Sequence, residues 1–126
     1  KVAHWNVRGP RFLALHEMFD KVAEGLQAPI DEIAERIGQL GGIVSTTTVQ
    51  NLVKSSSLNE ISVSQSTETY MLNHISESLT QLGEQLRQGI DATAELGDAG
   101  SSDMLTSFSR EIDQLLWFVE SHLVKD

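Results

Sequence analysis

The chain has no cysteine, few basic residues and no long hydrophobic run. Without cysteine, disulfide bonds and thiolate chemistry are excluded, and a reducing compartment is permitted without being proved. No apolar stretch reaches the roughly eighteen residues that a membrane-spanning helix needs. Only 9 residues are lysine or arginine against 18 aspartates and glutamates, which gives a net charge of −9. The basic residues are scattered, so the sequence predicts no nucleic-acid-binding patch and favours cations as partners.

Apolar residues recur at three- and four-residue steps from Pro10 to Gly42, which is typical of an amphipathic helix. We expect one long helix there, with Pro10 at its first position and a left-handed cap at Gly41-Gly42. Pro29 lies inside this stretch. Because proline cannot donate a hydrogen bond to the Gly25 carbonyl, we expect a kink in the helix just before Asp31 and Glu35, which would change their placement.

Two further helices are predicted towards the end of the chain, and part of one at its beginning. Residues 1–8 are typical of the last turns of a helix that begins upstream. Residues 67–96 carry a clean apolar stripe, and the segment GDAGSS then ends this helix and supplies a serine cap for the last one. We expect Asp103 in the first turn of that last helix, favourably placed for the helix dipole, and Trp117 in the core.

Residues 43–66 are rich in serine and threonine and separate the second helix from the third. So long a connection favours a crossover along the length of a bundle rather than a hairpin. Within it, residues 46–53 predict a short helix that buries Val49, Leu52 and Val53. The sequence therefore predicts one all-α domain over residues 1–126, a four-helix bundle with ferritin-like connectivity whose first helix is only partly present.

Two pairs of metal-capable residues lie on one side of the predicted second helix. His16 and Asp20 are four residues apart, as are Asp31 and Glu35, so the members of each pair share a face. The eleven steps from Asp20 to Asp31 turn a continuous helix by only about 20° but raise it by ~16 Å. Because metal–ligand distances are about 2 Å, both pairs cannot bind one ion within one chain. This geometry favours an antiparallel symmetric partner that approaches near Gly25.

These residues, with His4 twelve positions before His16, carry a specific resemblance. The segments AHWNVRGPRFLALHEMFD, DEIAERIGQLGG and LLWFVESHL resemble the Dps family, the mini-ferritins of bacteria and archaea. The resemblance covers essentially the whole chain. It implies a hollow homododecamer with ferroxidase sites between two-fold-related subunits. In that arrangement one subunit supplies His4, His16 and Asp20, and the other supplies Asp31 and Glu35.

The resemblance also implies the chemistry. The protein would be an oxidoreductase that binds iron, oxidises Fe(II), usually with hydrogen peroxide, and stores the ferric mineral, which protects the cell from oxidative damage. We expect a cytoplasmic protein with no membrane partner. The alternative is a nucleoid protein that compacts DNA through a basic N-terminal tail, which these residues do not include. A third reading is a structural helical assembly with an inert interface.

Three further residues have two interpretations each. Trp5, beside His4, either intercepts radicals made by iron and peroxide or packs at an interface. Asp98 and Asp103 either line an acidic iron-entry pore, as the three-fold channels of the resembled family do, or serve as a polar loop residue and a helix-start carboxylate.

Overall fold

The computed structural model describes residues 1–124, which contain helices and no strand. One isolated bridge joins Arg8 to Thr67. The helices in chain order are α1 (Val2–Asn6), α2 (Phe12–Gly25), α3 (Gln27–Gln39), α4 (Val49–Ser55), α5 (Glu68–Glu95) and α6 (Ala99–Glu120). The long helices α5 and α6 pair with each other, α2 packs beside them, and α1 packs on α2. The predicted all-α fold with a crossover that carries a short helix is confirmed. No helix among residues 1–124 is long and apolar enough to cross a bilayer.

The long helix predicted from Pro10 to Gly42 is instead two helices. Pro10 lies in the turn before α2, and a single turn residue, Leu26, with a φ of −91° and a ψ of −11°, separates α2 from α3. Pro29 cannot donate to the Gly25 carbonyl. The Leu26 amide donates to the Ala23 carbonyl, three residues back, at 3.4 Å, which is the tighter bond of a turn. The helical hydrogen-bonding pattern is therefore broken for one residue, at Leu26, close to where the kink was expected. The common face predicted for the two metal-capable pairs assumed a continuous helix, which the structure does not have.

Glycine ends α3 as predicted. Gly41 has a positive φ of 83°, and the Gly42 amide donates to the Ile37 carbonyl at 2.8 Å, which together make a left-handed helix cap. The same arrangement recurs after α5, where Gly97 has a φ of 76°. These two caps fix where α3 and α5 end and how the chain leaves them.

The cap of α6 is aspartate rather than the predicted serine. The carboxylate of Asp98 accepts the backbone N–H of Ser101 at 3.0 Å. A carboxylate at this position satisfies an otherwise unpaired amide and also faces the positive end of the helix dipole. Because α6 begins at Ala99, Asp103 lies beyond the first turn in which it was expected.

The core lies between α2, α5 and α6. Its most deeply buried side chains are Leu15 on α2, Met71 and Leu72 on α5, and Ile112 and Val119 on α6, each 2% exposed or less. The stripe predicted for α5 is confirmed, because Met71, Leu79 and Leu86 are buried and Ile75 and Leu82 pack against them.

Trp117 does not belong to the core, and its predicted burial is wrong. Its side chain is 62% exposed on the outer side of α6, where it contacts Phe118 with ring centroids 5.1 Å apart. Val119, two positions later, takes the buried place.

The crossover helix α4 forms close to where it was predicted, with Thr48 as its cap, but it buries nothing within this chain. Val49, Leu52 and Val53 are 73%, 59% and 67% exposed, so their predicted burial is wrong. The crossover runs along the outside of the bundle, where Leu52 lines an open apolar groove together with Val22 on α2 and Leu79 on α5.

Gly25 allows a close contact between two helices of the same chain. A Cβ atom at this position would lie 3.1 Å from the Cδ1 atom of Leu115 on α6. The missing side chain thus lets α2 approach α6 within the same chain, and the partner contact expected near Gly25 stays a prediction.

The packing makes a direct prediction about stability. Replacing the fully buried Leu72 by alanine leaves a cavity, so we expect a loss of about 2–5 kcal/mol in the free energy of unfolding. Leu96, at the end of the same helix, is 84% exposed, and Leu96→Ala should change that free energy by less than about 0.5 kcal/mol. Urea denaturation of both variants would test this, and equal losses would contradict the described register of α5.

Candidate metal centre

Two histidines face each other where α1 and α2 meet. The imidazole rings of His4 and His16 stack with their centroids 3.7 Å apart. The Nδ1 atom of His4 lies 2.7 Å from the backbone carbonyl oxygen of His16. In return, the Nδ1 atom of His16 lies 2.8 Å from the backbone carbonyl oxygen of His4. A carbonyl oxygen can only accept, so each Nδ1–H donates and each Nε2 keeps its lone pair. This is the tautomer in which a histidine binds a metal through Nε2 while the other ring nitrogen is held in place.

Asp20 lies one turn after His16 on α2, and its carboxylate accepts a hydrogen bond from the Lys1 ammonium. The hydrogen bond from this ammonium, together with its positive charge, lowers the pKa of the Asp20 carboxyl. Asp20 is therefore held as a carboxylate beside the histidine pair. The imidazole rings of His4 and His16 and the carboxylate of Asp20 thus provide nitrogen and oxygen donors on one flank of the bundle.

Asp31 and Glu35 lie on α3, beyond the interruption at Leu26. Both are exposed, and neither carboxylate takes part in a hydrogen bond or ion pair within residues 1–124. No group of three or more metal-capable side chains comes together in the described part of one chain. This holds for His4, His16 and Asp20 too, whose donor atoms do not converge on one point within the chain. The second set lies apart from them on α3, as the sequence spacing required, and the joint role of all five residues stays a prediction.

A hydrogen-bonded network between α3 and α6 was not anticipated from the sequence. The Arg36 guanidinium donates to the Ser101 hydroxyl at 2.9 Å and to the Asp98 carboxylate at 2.8 Å. The Ser101 hydroxyl and backbone N–H in turn donate to Asp98. These two bonds, with the Arg36 guanidinium, lower the pKa of Asp98 from 3.8 to about 2. An arginine next to the predicted ligand Glu35 was the only sign of this network in the sequence.

The remaining predicted residues lie at the surface. Trp5 is 65% exposed near the histidine pair, which suits either of its two interpretations. Asp103 is exposed beside a shallow cleft at the end of α5. Asp98, in contrast, caps α6 and forms an ion pair with Arg36. The pore role of both aspartates stays a prediction.

The fold and this arrangement of donors define a class. A family model described as a ferritin-like domain matches residues 1–126. Among relatives, the DNA protection during starvation protein of Agrobacterium fabrum is 37% identical over 127 residues, which span 98% of this chain and 75% of that protein. General stress protein 20U of Bacillus subtilis is 30% identical over 95% of this chain and 81% of its own length.

Solved structures agree with this class. Dps from Staphylococcus aureus superposes with a TM-score of 0.90 at 28% identity, covering 98% of this chain and 81% of that one. Dps from Vibrio cholerae, described as a member of a broad superfamily of ferritin-like diiron-carboxylate proteins, has a TM-score of 0.88 at 27% identity, with 97% and 76% covered. Within the ferritin-like class, this chain belongs to the Dps family.

The lowered pKa of Asp98 makes a prediction about acid stability. A carboxyl whose pKa is depressed on folding contributes stability above its unfolded pKa of 3.8, and this contribution is lost as pH falls through about 2. We expect Asp98→Asn, which keeps a capping side chain, to flatten the fall in unfolding free energy between pH 4 and pH 2. Denaturant titrations across this range would measure it, with the exposed Asp103→Asn as the matched control. An unchanged slope in Asp98→Asn would contradict the role of this carboxylate.

Proposed function

We propose that this protein is an iron-storing ferroxidase, which oxidises Fe(II) at sites shared between two subunits and holds the ferric product inside a closed homododecamer. The observation that carries this proposal is the pair of reciprocal histidine–carbonyl hydrogen bonds. They leave two Nε2 lone pairs free where α1 meets α2, one turn before Asp20, while the carboxylates of Asp31 and Glu35 have no hydrogen-bond or ion-pair partner among residues 1–124.

The donor set suits iron as the substrate. Two imidazoles and one carboxylate are typical ligands of non-haem Fe(II), and they leave positions open for an oxidant. The backbone carbonyls that hold His4 and His16 fix the tautomer and direction of each ring, so neither ring has to reorganise when the ion binds. The Lys1 ammonium neutralises Asp20 until a cation replaces it at that carboxylate.

The second set of ligands comes from another subunit in this proposal. Asp31 and Glu35 would add negative charge that favours Fe(III) over Fe(II) once an electron has left. Membership in the Dps family supports the dodecamer, and the exposed apolar face of the crossover supports extensive contacts between chains. Because each site needs two chains, oxidation would occur only in the assembly that stores its product.

Hydrogen peroxide is the oxidant in this proposal. Two Fe(II) ions each give up one electron, and both electrons enter the O–O bond of one peroxide molecule, which breaks. Its oxygens end as hydroxide or oxide in the ferric mineral, and the protons released by hydrolysis pass to solvent. No hydroxyl radical leaves when both electrons arrive as a pair, which accounts for protection from oxidative damage.

Stopped-flow absorbance of ferric products, after Fe(II) is mixed anaerobically with protein and peroxide, tests the activity. We expect His16→Ala to lower the rate at least about tenfold, because it removes a ligand. His122→Gln, a histidine at the end of α6 outside the site, should stay near wild type. Equal rates in both variants would contradict the assignment of the site. A wild-type rate with dioxygen that equals or exceeds the rate with peroxide would overturn the oxidant alone.

Mixing two inactive variants tests whether the site is shared. In a dimer of one His16→Ala and one Glu35→Ala chain, one site receives both damaged halves and the other receives both intact halves. Random exchange should restore about a quarter of the wild-type sites. His16→Ala mixed with Asp20→Ala is the control, because both changes damage the same half and nothing should be regained. Failure of the first mixture to recover, with subunit exchange verified, would exclude the shared site.

The names of the relatives raise a second function, which is protection by binding DNA directly. These residues do not favour it, because the net charge is −9 and lysine and arginine are dispersed. Binding to DNA gains affinity from clustered basic residues that release counterions from phosphates. We therefore attribute protection to iron handling, in the cytoplasm, and not to contact with the duplex.

We expect no shift of duplex DNA in a gel when the protein beginning at Lys1 is titrated to micromolar concentration at about 150 mM salt without divalent ions. A shift at or below that concentration would reveal a basic surface created by assembly and would favour the DNA-binding function.

A further inference from the structure

The helix that carries Asp31 and Glu35 has little apolar anchoring. Pro29 is the single buried residue of α3, and Ile33 packs partly against the core. In the second half of the helix, Ile37 and Leu40 are 37% and 61% exposed. Hydrophobic burial therefore holds the beginning of α3 and does little to hold the half that carries Glu35.

Arg36 supplies the missing anchor. Its Nε atom donates to the Ser101 hydroxyl at 2.9 Å, and one terminal nitrogen donates to Asp98 at 2.8 Å. The other terminal nitrogen donates to Gln39, one turn further along α3, at 3.2 Å. A planar guanidinium held by several acceptors has a defined direction, unlike a single point charge.

The acceptors belong to a rigid part of the fold. Asp98 caps α6, and Ser101 is only 4% exposed in its first turn. The chain is also shaped for the guanidinium, because a Cβ atom at Gly100 would lie 3.0 Å from the Arg36 nitrogen that binds Asp98. The network thus ties the second half of α3 to a fixed point on α6.

One fixed residue determines the direction of its neighbours on a helix. At about 100° per residue, Glu35 points about 100° away from Arg36, and Asp31, five positions back, about 140° away. When Arg36 faces α6, both carboxylates must face away from the bundle, and both are exposed. Losing the network would free α3 to rotate and tilt about its anchored beginning.

We propose that Arg36, held by Asp98 and Ser101, is a positioning residue that aims Asp31 and Glu35 at the histidine pair of the partner subunit. This inference rests on the proposed function, because it needs a site shared between chains. The ion pair itself is partly exposed, with side chains 27% and 24% accessible, so its main effect is on direction and not on overall stability.

Subunit mixing separates positioning from a general structural role. In the mixture of His16→Ala with Glu35→Ala, the one intact site takes its carboxylates from the His16→Ala chain. Arg36→Met added to that chain should therefore lower the recovered rate about tenfold. Arg36→Met added to the Glu35→Ala chain should leave the recovered rate unchanged, because it affects only the site that is already damaged.

The two mixtures contain the same three substitutions, so a general effect on folding or assembly would lower both alike. Equal recovered rates in the two mixtures, whether both low or both high, would overturn the inference. If the unmodified mixture of His16→Ala with Glu35→Ala recovers nothing, the shared site of the proposed function fails instead. If Arg36→Met does not fold, Arg36→Lys and Asp98→Asn carry the same comparison, because both residues lie on the chain that supplies the carboxylates.

A metal-binding measurement gives an independent readout. Co(II) titrated into the assembled single variants, and followed by its visible absorption, should bind Arg36→Met about tenfold more weakly than wild type and with a changed spectrum. Arg36→Lys should lie between them. Arg87→Met, which removes a guanidinium 3.9 Å from Asp113 on the α5–α6 pair, is the matched control and should match wild type. Co(II) affinity within about twofold of wild type in Arg36→Met, beside a clear loss in Glu35→Ala, would contradict the positioning role.

Discussion

The packing of α2 against the α5–α6 pair is the constraint on which the rest of the structure depends. Leu15 is completely buried, and so are Met71 and Leu72 on the opposing helix. Burying these side chains fixes the rotation of α2, which places its neighbours His16 and Asp20 at the flank of the bundle. Ala3 and Val7, both buried, then draw α1 against α2 and bring His4 onto His16.

The two halves of the proposed site are consequently held by different forces. Hydrophobic burial holds the histidine half. This force is non-directional, so it tolerates small changes at the surface. Directed hydrogen bonds to the α6 cap hold the carboxylate half, because α3 leaves the core soon after Pro29. This division follows from one residue, since a proline without an N–H separates α3 from the helix that would otherwise have carried it.

Local signals in the sequence predicted most of the helices and their ends. The cap at Gly41, the extent of α5 and the existence of α4 each depend on residues close together in the chain. The break at Leu26 was predicted only in part. A proline shows where a hydrogen bond is lost, but not whether the helix bends or ends there. Apolar periodicity likewise showed which face of α4 is hydrophobic, yet it contains no information about what covers that face.

The candidate site was likewise predictable only in part, because some of its contacts are local in the sequence and others are not. The interval of eleven residues between Asp20 and Asp31 could be read from the sequence, and it sufficed to predict separate halves. The reciprocal carbonyl contacts join residues twelve apart through a turn, and the bond from Arg36 to Asp98 spans 62 positions. Such contacts arise from tertiary packing, so no local pattern could have predicted them.

The uncovered crossover has a consequence for how the protein is made. Ile43, Val49 and Val53 expose 87%, 73% and 67% of their surface in the single chain. A newly synthesised chain with such a surface either assembles with a folded subunit or aggregates with another incompletely folded chain. The rates of both processes depend on how often chains meet. The yield of assembled protein is therefore set by a kinetic competition between assembly and aggregation. In that competition the rate at which folded chains pair matters as much as the stability of the assembly.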